Sequence, residues 1–232
     1  MPPEPAVIVR KNAESLAVVA ASWLAATLRE AVVRRGTASL AVSGGSTPGL
    51  LFAALVDEDL AWDRLHVFQV DERIAPDGDP DRNLTELQSA LLDRVPLPST
   101  HLHPMPVTDP LEGATDRYAA VLHRVCGGVI DVVHLGLGDD GHTASLIPGD
   151  TVLECRDVDV AVTDSYRGRR RMTLTYPVLD RAGAVLWLVA GAAKAPVLPR
   201  LLAHDHSIPA GRVRNEGAVV FADEAAAAQL PA

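Results

Sequence analysis

Hydrophobic residues along this chain fall into short, nearly uninterrupted blocks, separated by longer stretches in which apolar positions recur at helical spacing. A first block at about residues 6–10 precedes Asn12, which can cap a long Ala/Leu/Val segment that runs to Arg35 and is stopped by Gly36. Ala38–Ser43 reads as a buried strand and Gly44-Gly45-Ser46-Thr47-Pro48 as a tight turn, with a helix after it that takes Pro48 in its first turn. Leu65–Val70 is the next strand, and its end carries Asp71-Glu72-Arg73. A Pro/Asp/Gly-rich loop then leads to a helix beginning near Asn83. Val132–Leu137 and Val185–Val189 repeat the pattern, the second leading through Gly191 to another helix whose first turn holds Lys194. Ala225–Ala228 reads as the last turn of a surface helix.

Apolar strands alternating with helices predict an α/β chain, a single Rossmann-like domain over residues 1–232 with a mostly parallel sheet and helices on both faces. In such sheets ligands bind beyond the carboxyl ends of the strands. Four polar clusters, Ser43–Thr47, Asp71–Arg73, Gly136–His142 and Gly191–Lys194, each follow directly after a predicted strand, as the parts of one assembled site would.

The chain has 232 residues and is 48% apolar, enough for one substantial core. A formal charge of −9 argues against general affinity for nucleic acid or an anionic membrane, so an anionic ligand must be held by a local pocket. Cys126 and Cys155 are too few for a disulfide framework and suit a reducing compartment. The start lacks a basic stretch followed by an apolar one, and no apolar run approaches the roughly 20 residues that span a bilayer. These features point to a soluble protein of the cytoplasm.

Two glycines and two hydroxyls in Gly44–Thr47, before a helix N-terminus, suit a phosphate; an ordinary turn with Ser46 or Thr47 as helix cap fits the same residues. The segment is neither a dinucleotide fingerprint nor a P-loop. A cation in the first turn of a helix opposes the helix dipole, so Lys194 either meets a bound anion or points into water. Arg73 offers a planar fork for phosphate oxygens, or pairs with Asp71 or Glu72. Gly136-Leu-Gly-Asp-Asp-Gly-His142 is the sharpest feature: glycines admit a ligand to the backbone, and Asp140 can orient His142 as a general base. His101/His103 and His204/His206 have pair spacing, but nothing nearby completes a metal set, and all four read as surface loop residues.

With these residues the chain resembles the 6-phosphogluconolactonases, within the wider group that includes glucosamine-6-phosphate isomerase/deaminase. The resemblance rests on Ser43–Pro48, Val70–Arg73, Asn83, Gly136–Pro148, Arg171–Thr175, Gly191–Lys194 and Ala222–Ala225, in order along nearly the whole chain. It implies a catalytic His142 with Asp140 beside it. It also implies a substrate site of Gly44, Gly45, Ser46, Thr47, Asp71, Arg73, Arg171 and Lys194, in which the Gly44–Thr47 loop, Arg73 and Lys194 hold phosphate. The implied reaction is hydrolysis of 6-phospho-D-glucono-1,5-lactone to 6-phospho-D-gluconate in the oxidative pentose phosphate pathway. No cofactor or metal is implied, the partner is a small-molecule phosphorylated sugar lactone rather than nucleic acid or membrane, and the protein is expected to be a monomer or weak homodimer. Should His142 not be the base, Asp71 and Glu72 are the next candidates.

Two departures from the family pattern stand out. Ser165–Arg170 replaces a segment that usually contains prolines, and its arginines either flank the phosphate or, as is expected here, face solvent; Phe221 replaces a frequent tryptophan, as a packing exchange. Within the wider group the isomerases carry a Glu after the Asp-Gly-His turn and an aromatic residue after Asp-Glu. Here Ser145-Leu-Ile-Pro148 and Arg73 stand at those places, which favours the lactonase. A non-catalytic sugar-phosphate sensor would need an output module, and no DNA-binding segment flanks the domain.

Overall fold

The computed structural model describes residues 5–108, 110–214 and 216–231, without the side chain of Ser46; residues 1–4, where a basic leader was sought, lie outside it. The chain opens with β1 (Ala6–Arg10), then α1 (Ala13–Arg35), β2 (Ala38–Val42) and α2 (Ser46–Leu55). Asn12 caps α1 as expected: its side chain accepts from the Ser15 N–H at 2.9 Å while Ser15 returns the contact, and Gly36 closes the helix at φ 81°. Such a cap contributes about 1 kcal/mol. With 23 residues, α1 is long and apolar enough to cross a bilayer, against the expectation of no such run. Its stripe of Leu16, Ala20, Leu24 and Leu28 is instead buried against α2 and the sheet, because alanines let the helix lie close to the strands.

Next come β3 (Leu65–Gln69), β4 (Asp71–Arg73), α3 (Asn83–Ala90), β5 (Leu102–His103), α4 (Ala114–Cys126) and β6 (Val132–Gly136). The chain ends with β7 (Val160–Val162), β8 (Arg171–Leu174), α5 (Tyr176–Asp180), β9 (Ala184–Val189), α6 (Leu198–Leu202) and β10 (Val219–Asp223). Seven strands form one wholly parallel sheet in the order β1-β10-β9-β6-β2-β3-β5. Side chains alternate across it. Leu40 and Val42 join Phe52, Leu55 and the α1 leucines on one face, while Ala41, Leu135 and Trp187 join Tyr118, Leu122 and Leu198 on the other. Phe221 is fully buried and meets Trp23 edge-on, ring centroids 6.0 Å apart, which suits a packing role.

Several elements depart from the expectations. Asp71–Arg73 is not a strand end but a strand of a second, antiparallel sheet, β4-β8-β7, which the chain enters at Val70. The Val70 N–H bonds Val42 while its carbonyl accepts from Leu174, so one residue serves both sheets. Ala225–Ala228 is a series of turns rather than helix, because the Asp223 carboxylate takes the Ala226 N–H and closes the chain back on itself. His101 and His103 are not loop residues on the surface but half-buried: His103 belongs to β5, stacks on Phe68 and lies 3.1 Å from His66.

His134, on β6, is fully buried beside Phe52, and neither ring nitrogen has a hydrogen-bond partner among the described residues. Burial pushes its pKa from the ordinary 6.5 down to about 3. An unfolded chain therefore binds a proton at this residue below pH 6.5 that the native state refuses until about pH 3. Its contribution is intact above that window and is lost as pH falls through it, by up to about 1.4 kcal/mol per pH unit. His134→Leu should flatten the decline of stability between pH 6.5 and 4 in urea titrations; an unchanged slope would refute this account.

Candidate active site

In the sheet order, β3 and β5 extend from one side of β2, and β6, β9 and β10 from the other. The connections leaving β2 and β6 therefore part at their carboxyl ends and leave a crevice between them. A cavity of about 330 Å³ occupies it, walled by Ser43–Gly45, Thr47 and Pro48 after β2 and by Gly138, Asp139 and His142 after β6. Asp71, Arg73, Asn83, Arg167, Arg171 and Lys194 complete the walls. An adjoining cavity of similar size shares Gly45, Arg73, Arg167 and Arg171.

The loop after β2 is shaped by its glycines. Gly45 has φ 122° and is the N-cap of α2, so no side chain caps that helix. Gly44 lies against Asn83, where a Cβ would come within 2.0 Å of the amide oxygen. The Gly45 N–H donates to the Glu86 carboxylate at 2.8 Å, which commits one amide of the expected anion cradle to the protein itself. Thr47 faces the cavity, and the Ser46 side chain lies outside the described residues.

The three residues Asp71, Glu72 and Arg73 part company. Glu72 is fully buried and accepts from the N–H groups of Arg73, Asn83 and Leu84 and from the Gln69 amide, all at 2.7–2.8 Å, so it caps the start of α3 and is no reserve base. Asp71 is buried, lines the cavity and accepts from the Ser145 hydroxyl at 2.5 Å. The Arg73 guanidinium donates to the Asn83 side chain rather than pairing with either acid. Asn83 also donates to the Asp71 carbonyl at 2.8 Å, so one amide orients two residues of the cavity wall.

His142 and Asp140 form a tight pair, with Nδ1 2.5 Å from Oδ1. The same carboxylate oxygen accepts from the His142 main-chain N–H at 3.1 Å, and the Gly138 N–H closes the loop onto the His142 carbonyl at 2.8 Å. With Nδ1 committed to Asp140, Nε2 is the nitrogen left to act on a ligand. Burial raises the Asp140 pKa, but the His142 N–H bonds, the His142 charge and the Tyr166 hydroxyl outweigh it and hold the carboxyl below its usual range.

On the opposite wall, Arg171 is buried and its Nε has no partner among the described residues; burial, with Arg73 nearby, lowers its pKa against the pull of Asp71. The loop before it does not simply face solvent. Arg167 lines the cavity and Arg169 pairs with Asp79 and Asp81, both at 3.0 Å, while Arg170 is exposed. Lys194 lines the cavity too, but as the last residue of a single 3-10 turn, Ala192–Lys194, rather than in the first turn of a helix. A three-residue turn has little dipole, and the next helix starts only at Leu198, so the dipole argument for this lysine lapses. What holds the turn is Asp223, whose carboxylate takes the Gly191 N–H at 2.9 Å.

A family model described as glucosamine-6-phosphate isomerases/6-phosphogluconolactonase matches residues 11–221. The chain belongs to this family. A 6-phosphogluconolactonase of Nostoc sp. is 36% identical over 214 residues, covering 88% of this chain and 89% of the relative. One of Synechocystis sp. is 35% identical and covers 94% of each. The solved structure of 6-phosphogluconolactonase from Trypanosoma cruzi superposes with a TM-score of 0.88 at 26% identity, covering 100% of this chain and 99% of that one. Family membership thus agrees with the α/β architecture and with the motifs after β2 and β6.

Of the residues the sequence motifs singled out, His142, Gly44, Gly45, Thr47, Asp71, Arg73, Arg171 and Lys194 line one cavity, and Asp140 is paired with His142 at its edge. The motifs gave Asn83 as a family position without assigning it to the site, and did not reveal Arg167 in the cavity wall or Tyr166 beside Asp140; the signal for these two was the departure of Ser165–Arg170 from the family's proline-containing segment. Among the described residues, no group of three or more His, Cys, Asp or Glu is arranged to hold a metal ion.

Gly138 faces the His142–Asp140 pair so closely that a Cβ would lie 2.1 Å from His142 Nδ1 and 2.6 Å from Asp140 Oδ1. Gly138→Ala should therefore dislodge both side chains, lowering kcat/KM by about 10²-fold or more with the circular dichroism spectrum unchanged. Near-normal activity would show that the pair is not the reacting group.

Proposed function

We propose that this enzyme hydrolyses 6-phospho-D-glucono-1,5-lactone to 6-phospho-D-gluconate with water activated by His142. The observation that carries the reading is the His142–Asp140 pair at 2.5 Å, set in a cavity whose other walls present Arg73, Arg167, Arg171 and Lys194. A base facing a cluster of cations suits a substrate with a reactive carbonyl at one end and a phosphate at the other. Neutral His142 takes a proton at Nε2 from water as its oxygen attacks the lactone carbonyl. The C1–ring oxygen bond then breaks, the imidazolium returns its proton to the departing ring oxygen, and the product carboxylic acid ionises. Asp140 keeps Nδ1–H directed and stabilises the imidazolium between the two transfers. Arg73 and Lys194 hold the phosphate with the loop after β2, and Arg171 and Asp71 shape the wall between them.

Within the family, the lactonase reading is favoured over isomerisation by the segment after His142. Ser145 and Leu146 are fully buried there, Ser145 is spent on Asp71, and no carboxylate takes the place of the isomerase Glu. Glucosamine 6-phosphate should accordingly release no ammonia with this protein.

Proton release on mixing with fresh phosphorylated lactone, corrected for spontaneous hydrolysis, tests the reading directly. His142→Gln keeps much of the volume but cannot act as a base, so kcat should fall by about 10²–10⁴-fold with KM little changed. In the wild type kcat/KM should rise with pH through one ionisation, since only neutral imidazole accepts the proton. Near-normal turnover by His142→Gln would remove His142 from the role.

Lys194→Ala should raise KM for the phosphorylated lactone by about ten- to a hundredfold while changing hydrolysis of unphosphorylated gluconolactone much less. Equal losses on both substrates would place the lysine away from the phosphate.

A further inference from the structure

Tyr166 sits at the base of a two-residue turn in the β7–β8 hairpin. The Tyr166 N–H donates to the Arg169 carbonyl at 3.0 Å and the Arg169 N–H returns to Tyr166 at 3.2 Å. Between them Arg167 has φ 51° and Gly168 φ 82°. Both values are positive, as the tightest hairpin turns demand, and for Arg167 that conformation is strained. The hairpin is tied down from outside by Arg169, whose guanidinium pairs with Asp79 and Asp81 on the loop before α3. So held, the turn places the Tyr166 hydroxyl 3.0 Å from Asp140 Oδ2, the oxygen that does not face His142 Nδ1. The Tyr166 ring lies edge-on to His142, centroids 5.9 Å apart, and the guanidinium carbons of Arg167 and Arg171 lie 5.1 and 5.2 Å from its centre.

From this geometry we infer that Tyr166 is a positioning residue of the reaction: its hydroxyl fixes the Asp140 carboxylate against His142, and its ring couples that pair to the arginines on the opposite wall. The inference rests on His142 being the base. A carboxylate pinned at one oxygen only can swing about its Cβ–Cγ bond; a donor on the second oxygen removes that freedom and draws off part of the charge that holds the His142 proton. The phenol's own pKa is raised by burial and by Asp140, with Asp139 adding and Arg167 opposing. It therefore stays a donor across the working range. The other charged groups on the cavity walls are Asp71, Arg73, Arg171 and Lys194. Removing the Tyr166 hydroxyl changes none of them.

Tyr166→Phe keeps the ring and removes only the hydrogen bond. The expected result is a kcat lower by about tenfold, KM for the phosphorylated lactone within about twofold of wild type, and the acid limb of kcat/KM moved to higher pH, because an unshared Asp140 charge holds the His142 proton more tightly. In an Asp140→Asn background the same substitution should have almost no further effect, since its target is gone. A readout independent of activity is the tyrosinate absorbance: in Asp140→Asn, Tyr166 should ionise at lower pH than in wild type. Tyr118 and Tyr176 do not obscure it, being pushed up by burial, Tyr176 to about 12. A Tyr166→Phe variant with wild-type kcat and acid limb, alongside an inactive His142→Gln, would overturn the inference while leaving the base in place. Losses in Tyr166→Phe and Asp140→Asn that simply multiply would overturn it as well. An active His142→Gln would instead strike at the base assignment on which the inference stands.

Discussion

The parallel pairing of β2 with β6 is the contact on which the rest of the molecule depends. It sets Leu40 and Ala41 beside Val132 and Val133, two strands separated by some ninety residues of chain, and it marks the point where strand order reverses. Side chains lock the register at both ends. At the amino end the Asp131 carboxylate accepts from the Ser39 N–H and hydroxyl, both at 2.9 Å, and at the carboxyl end the Ser43 hydroxyl donates to the His134 carbonyl at 3.0 Å. A slip of one residue would turn every inward side chain of these strands to the opposite face. It would also pull the Gly44–Thr47 loop out of line with His142, so packing and chemistry share one constraint.

Around that seam the wall of the cavity is made by a buried polar network. Glu72 gathers four donors and so orders the start of α3; α3 presents Asn83, which orients Asp71 and Arg73; Asp71 in turn holds Ser145 behind the loop that carries His142. Burying a carboxylate such as Glu72 is tolerable only because its oxygens are satisfied. Its position beside catalytic-looking neighbours is thus a matter of rigidity, and the close fit of Gly44 to Asn83 shows how little slack the arrangement has.

Charge is handled locally in the same way. The chain carries a formal −9, yet Arg73, Arg167, Arg171 and Lys194 converge on one cavity. Arg171 is buried with an Nε that has no partner among the described residues, which makes the wall electrically receptive to an anion in a protein that otherwise repels one. The acidic residues nearest this cluster are mostly engaged: Asp71 by Ser145 and Asn83, Asp140 by His142 and Tyr166, Asp79 and Asp81 by Arg169.

Local sequence determined the elements whose signals are short-range. Asn12 and Gly36 bound α1, apolar runs mark β2, β3, β6 and β9, and glycines with Asp140 and His142 mark the loop after β6, because caps, periodicity and glycine conformations act within a few residues. Tertiary structure alone decided the second sheet, since β4, β7 and β8 are each three or four residues long and are ordered by pairing with one another and through Val70 with the main sheet. It likewise decided that Glu72 is a cap while Asp71 beside it faces the cavity, that Lys194 closes a 3-10 turn held by Asp223, and that Tyr166 reaches Asp140 across 26 positions of sequence. In each case the deciding partner is distant along the chain, and a residue's own neighbours in sequence carry no record of it.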